Sequence, residues 1–82
     1  MPGFYKSDPN ETHAYHTDGT DEWYGVASSG TLTSQAHWQI VKLEYDSDDW
    51  LEKYPNGSDQ PIFEWDKVED YSYYILGSRG AL

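Results

Sequence analysis

Residues 37–45, "HWQIVKLEY", decide the fold. In an extended chain Trp38 and Ile40 fall on one side, and Val41, Leu43 and Tyr45 on the other, the period of two that a strand requires. The stretch is rich in aromatic and β-branched residues, as strands favour. Lys42 and Glu44 turn the Trp38 side polar, so the strand is expected to be buried on both faces at its start and on one at its end. The preceding residues 25–36, "GVASSGTLTSQA", are small and hydroxyl-rich and are broken by Gly30, which suits turns and loops.

Working outward, "EWYGVA" (22–27) alternates in the same way, with Trp23 and Gly25 against Tyr24 and Val26. "DSDD" (46–49) forces a turn, and "WLEKY" (50–54) makes a shorter strand. "PNGSDQP" (55–61) is a loop centred on Asn-Gly, and "IFEW" (62–65) returns as the partner strand of a hairpin. In "WDKVEDY" (65–71), Trp65, Val68 and Tyr71 stand three apart, the spacing of one short helical turn. "YSYYIL" (71–76) is the last strand. Residues 1–20, interrupted by Pro2, Gly3, Pro9 and Gly19, read as an extended N-terminal arm without a core of its own, and 77–82 as a C-terminal tail. No internal repeat or heptad is present. The expectation is an all-β chain: a single domain over 21–76, built as a small antiparallel curled sheet or open barrel of four to five strands. Its core would hold Trp38, Ile40, Val41, Leu43, Phe63 and Trp65.

At 82 residues with four Trp, eight Tyr and two Phe, aromatic rings must supply most of the buried area. Aliphatic residues are few, so a domain this small is expected to gain stability from a partner or from self-assembly. The formal net charge is -10, which disfavours nucleic acid and anionic membrane surfaces as partners, since phosphate binding needs clustered Lys and Arg. Cysteine is absent, which removes disulfides, thiolate nucleophiles and Cys-ligated zinc. The stretch "MPGFYKSDPNETHAYH" has no apolar h-region, so the chain is expected to be made and kept in the cytosol unless something carries it out. The sequons at Asn10 and Asn56 carry little meaning without a secretory signal.

Candidate chemistry is sparse. His13 and His16 are spaced H-x-x-H and His37 could join them, but without Cys or H-E-x-x-H the reading is of surface histidines. Asp46, Asp48 and Asp49 resemble a calcium loop faintly. Leu51 and Gly57 stand where the loop needs Gly and Glu, so a solvated acidic turn is expected. Ser28, Ser29 and Ser34 sit in no nucleophile elbow, and no catalytic residue, cofactor or metal is assigned. The aromatics carry more: Tyr and Trp anchor interfaces because a rigid ring gives area at low entropy cost. Phe4, Tyr5 and Tyr15 are therefore assigned to partner contact. So is the loop 28–36, through Ser28, Ser29, Gly30, Thr31, Thr33 and Ser34, because a flat Gly- and hydroxyl-rich connection offers backbone groups to another surface. A simple crossover between strands is the alternative for that loop.

The order of these pieces resembles a family of small virion-associated structural proteins of tailed bacteriophages. The resembling residues are Tyr24, Gly25 and Ala27 at a strand end, then Gly30, Thr31, Thr33, Ser34 and Ala36 in the loop. Trp38, Gln39 and Ile40 follow in the main strand, and Trp65, Asp66 and Tyr73 come late. The resemblance spans about residues 23–73. Val26 and Val68 depart from it, standing where family members often carry Lys and Arg. It implies a non-enzymatic virion protein docking on other virion structural proteins as a homo-oligomer or symmetric array. The tail or head–tail region is expected by analogy, since fibre and connector attachment needs small adaptor domains, and the charge leaves neither nucleic acid nor membrane as partner. A capsid-decorating protein is the alternative within the class. An acidic regulator binding a host protein is the alternative outside it.

Overall fold

The computed structural model describes residues 10–46 and 48–77. Five strands form one open, unclosed antiparallel sheet in the order of the chain: β1 (Glu11–Thr17), β2 (Glu22–Ser28), β3 (Gln39–Asp46), β4 (Asp49–Pro55) and β5 (Tyr73–Tyr74). The only helical piece among the described residues is a 3-10 turn at Trp65–Lys67, within the stretch where the three-residue spacing places a helical turn.

The register sorts the side chains cleanly. Trp23 pairs with Lys42 and Gly25 with Ile40, while Ala14 and His16 on β1 face Gly25 and Trp23. These residues define the core face, where Trp23, Ala27, Trp38, Ile40, Phe63 and Val68 are buried, with Ala14, Trp65, Tyr71 and Tyr73 packed against them. The chain after β4 covers this face. Asn56 and Gly57 both take positive φ (54° and 73°), and Gly57 N–H donates to the Tyr54 carbonyl (2.9 Å), turning the chain away from the sheet. It returns at Phe63, which exchanges both backbone hydrogen bonds with Trp38 (2.9 and 3.1 Å). The 3-10 turn then lays Trp65 over Gly25, and Tyr73–Tyr74 pair with Tyr54 and Pro55 on the outer edge of β4.

Gly25 is what allows this closure. A Cβ there would stand 2.6 Å and 2.7 Å from two Trp65 ring carbons and 3.1 Å from the Trp38 ring. Only a glycine lets two indoles meet the middle of the sheet.

Four differences from the sequence reading have physical causes. Residues 62–65 do not form a hairpin with β4: the left-handed pair Asn56–Gly57 redirects the chain, and Phe63 pairs with Trp38 of the β3 lead-in. The last strand is Tyr73–Tyr74 and not the whole of 71–76. Val41 and Leu43 lie half-buried on the face opposite the core, where Tyr24 beside Val41 is buried, while Trp23, Ala27 and Val68 join the core. Finally, part of the arm expected over 1–20 is the edge strand β1, whose Ala14 is small enough to pack beside Gly25.

Candidate docking face

The face opposite the core is a series of cross-strand rungs. Tyr15 pairs with Tyr24, Tyr24 with Val41, and Tyr54 with Tyr74. Because Lys42 pairs with Lys53, the same register sets Val41 beside Tyr54. One tyrosine-rich row therefore crosses all five strands. The Tyr15 and Tyr24 rings meet at 5.2 Å between centroids, a tilted contact. A shallow depression of about 180 Å³, lined by Tyr24, Val26, Gln39, Val41 and Tyr54, opens beside this row.

The next rungs change the chemistry. Glu22, Leu43 and Glu52 lie across β2, β3 and β4 in that order, so a leucine sits between two carboxylates. The Tyr24 hydroxyl donates to Glu22 (2.6 Å) and the Tyr54 hydroxyl to Glu52 (3.2 Å). Burial, together with the negative charge of Glu52 and Asp59, raises the Tyr54 phenol above its ordinary range. At the far end Tyr45 pairs with Trp50, with ring centroids 5.0 Å apart. They are 47% and 50% exposed, and they are accordingly the two aromatic rings this face offers most openly to a partner.

On the core face the carboxylates are paired with lysines. Lys42 Nζ lies 5.3 Å from the Trp23 ring centre and 5.7 Å from that of Tyr73. It reaches the carboxylates of Asp21 (3.7 Å) and Glu44 (3.0 Å), and Lys53 joins Glu44 at 2.7 Å. Hydrogen bonds from Lys53, then Lys42, hold the Glu44 carboxyl below the ordinary value. Burial pushes the Tyr73 phenol far up, and its hydroxyl donates to the Val68 carbonyl.

Of the residues assigned to partner contact from sequence, Tyr15 is on the open face, 43% exposed. Phe4 and Tyr5 lie outside the described residues. The loop is more occupied than a docking loop needs to be. Trp38 Nε1–H donates to the Leu32 carbonyl (3.0 Å), Asp66 N–H to the Thr33 carbonyl (3.0 Å), and Thr31 N–H back to Ser28 (3.0 Å). Its main chain ties β2 to the 3-10 turn. What it shows outward are the side chains of Ser28, Ser29, Thr33 and Ser34, the surface of Gly30, and Leu32 at 63% exposure, with Thr31 half-buried.

Tyr45 and Trp50 do not stand out in the sequence as binding residues. Their signal lies in the hairpin register: with "DSDD" closing the turn, the two residues flanking it must face each other. The histidines are dispersed. His16 meets Glu69 of the covering segment, His13 lies 3.6 Å from Glu11, and His37 is exposed. Among the described residues no group of three or more His, Cys, Asp or Glu could hold a metal, and no helix is long and apolar enough to cross a membrane.

Comparison of the chain with family models, with curated proteins and with solved structures finds no match.

Proposed function

We propose that this chain is a non-enzymatic docking protein, a structural component of a tailed-phage virion that seats on neighbouring virion proteins in the tail or head–tail region. The observation that carries the docking part is the sheet's two-sidedness. One face is covered by the chain's own residues 63–73, and the other ends in an openly displayed Tyr45–Trp50 pair. A solvent-exposed aromatic pair on a rigid sheet is the type of anchor interfaces use. The virion part is supported by the resembling residues from Tyr24 to Tyr73. Several of these are residues the fold needs: Gly25 under Trp65, Trp38 tied to Leu32, and Asp66 tied to Thr33.

Quantitative mass spectrometry of gradient-purified particles tests this reading. A copy number in keeping with a ring or fibre set places the protein in the neck or tail, and one near that of the shell protein makes it a capsid decoration. Absence from particles overturns the virion reading. It would favour a second one, an acidic regulator of a host protein, which the net charge of -10 supports and which competition with DNA for a basic host protein would test.

A further inference from the structure

The chain already builds one complete cation site. On the core face Lys42 sits over Trp23 and Tyr73 with Asp21 and Glu44 at hand, so two rings and two carboxylates hold one ammonium. Among the described residues the open face repeats those ingredients without the cation. Tyr45 and Trp50 supply the rings, Glu22 and Glu52 the carboxylates, and Leu43 an apolar floor between them. The phenols of Tyr24 and Tyr54 hold the two carboxylates from behind. All three described lysines are elsewhere. Lys42 and Lys53 point to the core face by register, and Lys67 lies in the covering 3-10 turn beside Glu64.

We infer that the patch Glu22–Leu43–Glu52 with Tyr45–Trp50 docks a cationic segment of a partner protein, in which Arg or Lys flank an apolar side chain. The apolar side chain meets Leu43 between the carboxylates. These lie two strand spacings apart, roughly 10 Å, a span that cationic residues two positions to either side of the apolar one can reach in an extended segment, where alternate side chains share a face. The long stems of Arg or Lys cover Tyr45 and Trp50 while their heads reach Glu22 and Glu52. Charge argues against a second copy as the occupant, since each carries a formal -10.

This inference rests on the docking half of the proposed function and not on its virion half. Absence from particles would leave the patch's affinity untouched, and a patch without specificity would leave the particle count untouched.

The experiment uses the full chain at about 0.15 M salt, where exposed charges beyond roughly 8 Å are screened. The probe is a synthetic peptide repeating Arg-Ser-Leu-Ser, which puts Arg and Leu on one face when extended, with a Gln-for-Arg counterpart, followed by amide chemical shifts. Shifts clustering at Glu22, Leu43, Tyr45, Trp50 and Glu52 are expected. Trp50→Ala and Glu52→Gln should each weaken binding about tenfold. Asp66→Asn, which removes the same charge from the covered side, should change it by less than about twofold. Both patch residues are exposed, and unchanged peak dispersion in the variants confirms the fold. The inference is overturned if shifts spread over the acidic surface with Asp66→Asn as costly as Glu52→Gln, or if the Gln peptide binds equally. It is overturned as well if Phe4→Ser with Tyr5→Ser shifts the patch amides before peptide is added, which makes the chain's own N-terminus the occupant. Sedimentation showing a dimer that Trp50→Ala disperses would make the occupant a second copy and would overturn it too.

Discussion

The tightest constraint in the molecule is a missing side chain. At Gly25 an added methyl would stand 2.6 and 2.7 Å from ring carbons of Trp65, a half-buried residue packed against the core, and 3.1 Å from the Trp38 ring. Gly25→Ala should therefore destabilise by about 1–3 kcal/mol through overpacking. Urea unfolding should show a lower midpoint at unchanged slope. Combining it with Trp65→Ala should recover part of the loss, because the two changes share one space, and strict additivity would place the strain elsewhere. Gly30 offers a contrast: nothing lies within 4 Å of its would-be Cβ, so Gly30→Ala acts only through its φ of 90°, at about 1–2 kcal/mol. Glu44 sets a pH dependence. Its folded pKa lies below the ordinary 4.5, so its contribution to stability is fully present above that value and is lost as pH falls through the folded pKa. Glu44→Gln should flatten the fall in stability between neutral and acid pH, and an identical pH profile in the variant would remove Glu44 as a cause.

Between elements, stability should be graded. β2 and β3 are paired on both sides, whereas the covering segment is held by side-chain packing and a few single hydrogen bonds such as Asp66 N–H to Thr33. Native-state hydrogen exchange should show amides of 66–70 opening at lower free energy than those of Tyr24 and Val41. Phe63→Ala, which empties the contacts beside Trp38 and Tyr71, should cost about 3–5 kcal/mol and should widen that gap. Uniform exchange across both regions would mean that sheet and cover open as one unit. The same contrast explains which elements are legible in the sequence. β2 and β3 carry aromatic and β-branched residues, and β4 is bracketed by the turn signals at 46–49 and 55–61, so all three can be read from the sequence. β1, "ETHAYHT", is polar by composition and owes its strand state to pairing with β2, a tertiary cause that local pattern does not display. The path of 55–63 escapes the sequence for a related reason. Asn-Gly usually closes a two-stranded hairpin, but here its left-handed residues turn the chain away from β4 and toward Trp38.

At the scale of the whole molecule, the core is legible in part because Trp38 and Ile40, both buried, alternate onto one side of the β3 stretch, whereas Val41 and Leu43 show that an apolar strand face need not be the core face. A single open sheet has two faces, and a chain this short covers one of them with its described residues. The docking patch is hidden from the sequence for the same reason: it is defined by cross-strand register between Glu22, Leu43 and Glu52, residues far apart in the chain. Charge is organised by the same division. The attractive pairs are short, with Lys53 to Glu44 at 2.7 Å and Lys42 to Glu44 at 3.0 Å, while the surplus behind the net -10 repels over longer distances. Salt screens the long-range repulsion more than the close, half-buried pairs, with a Debye length falling from about 30 Å at 0.01 M to about 8 Å at 0.15 M. Raising salt over that interval should therefore stabilise the isolated chain, lifting its thermal midpoint by about 4–8 °C for each kcal/mol of repulsion removed. A midpoint that falls instead would mean that the Lys42–Glu44–Lys53 cluster outweighs the remaining carboxylates, and that the acidic surface is no burden for a basic partner to relieve.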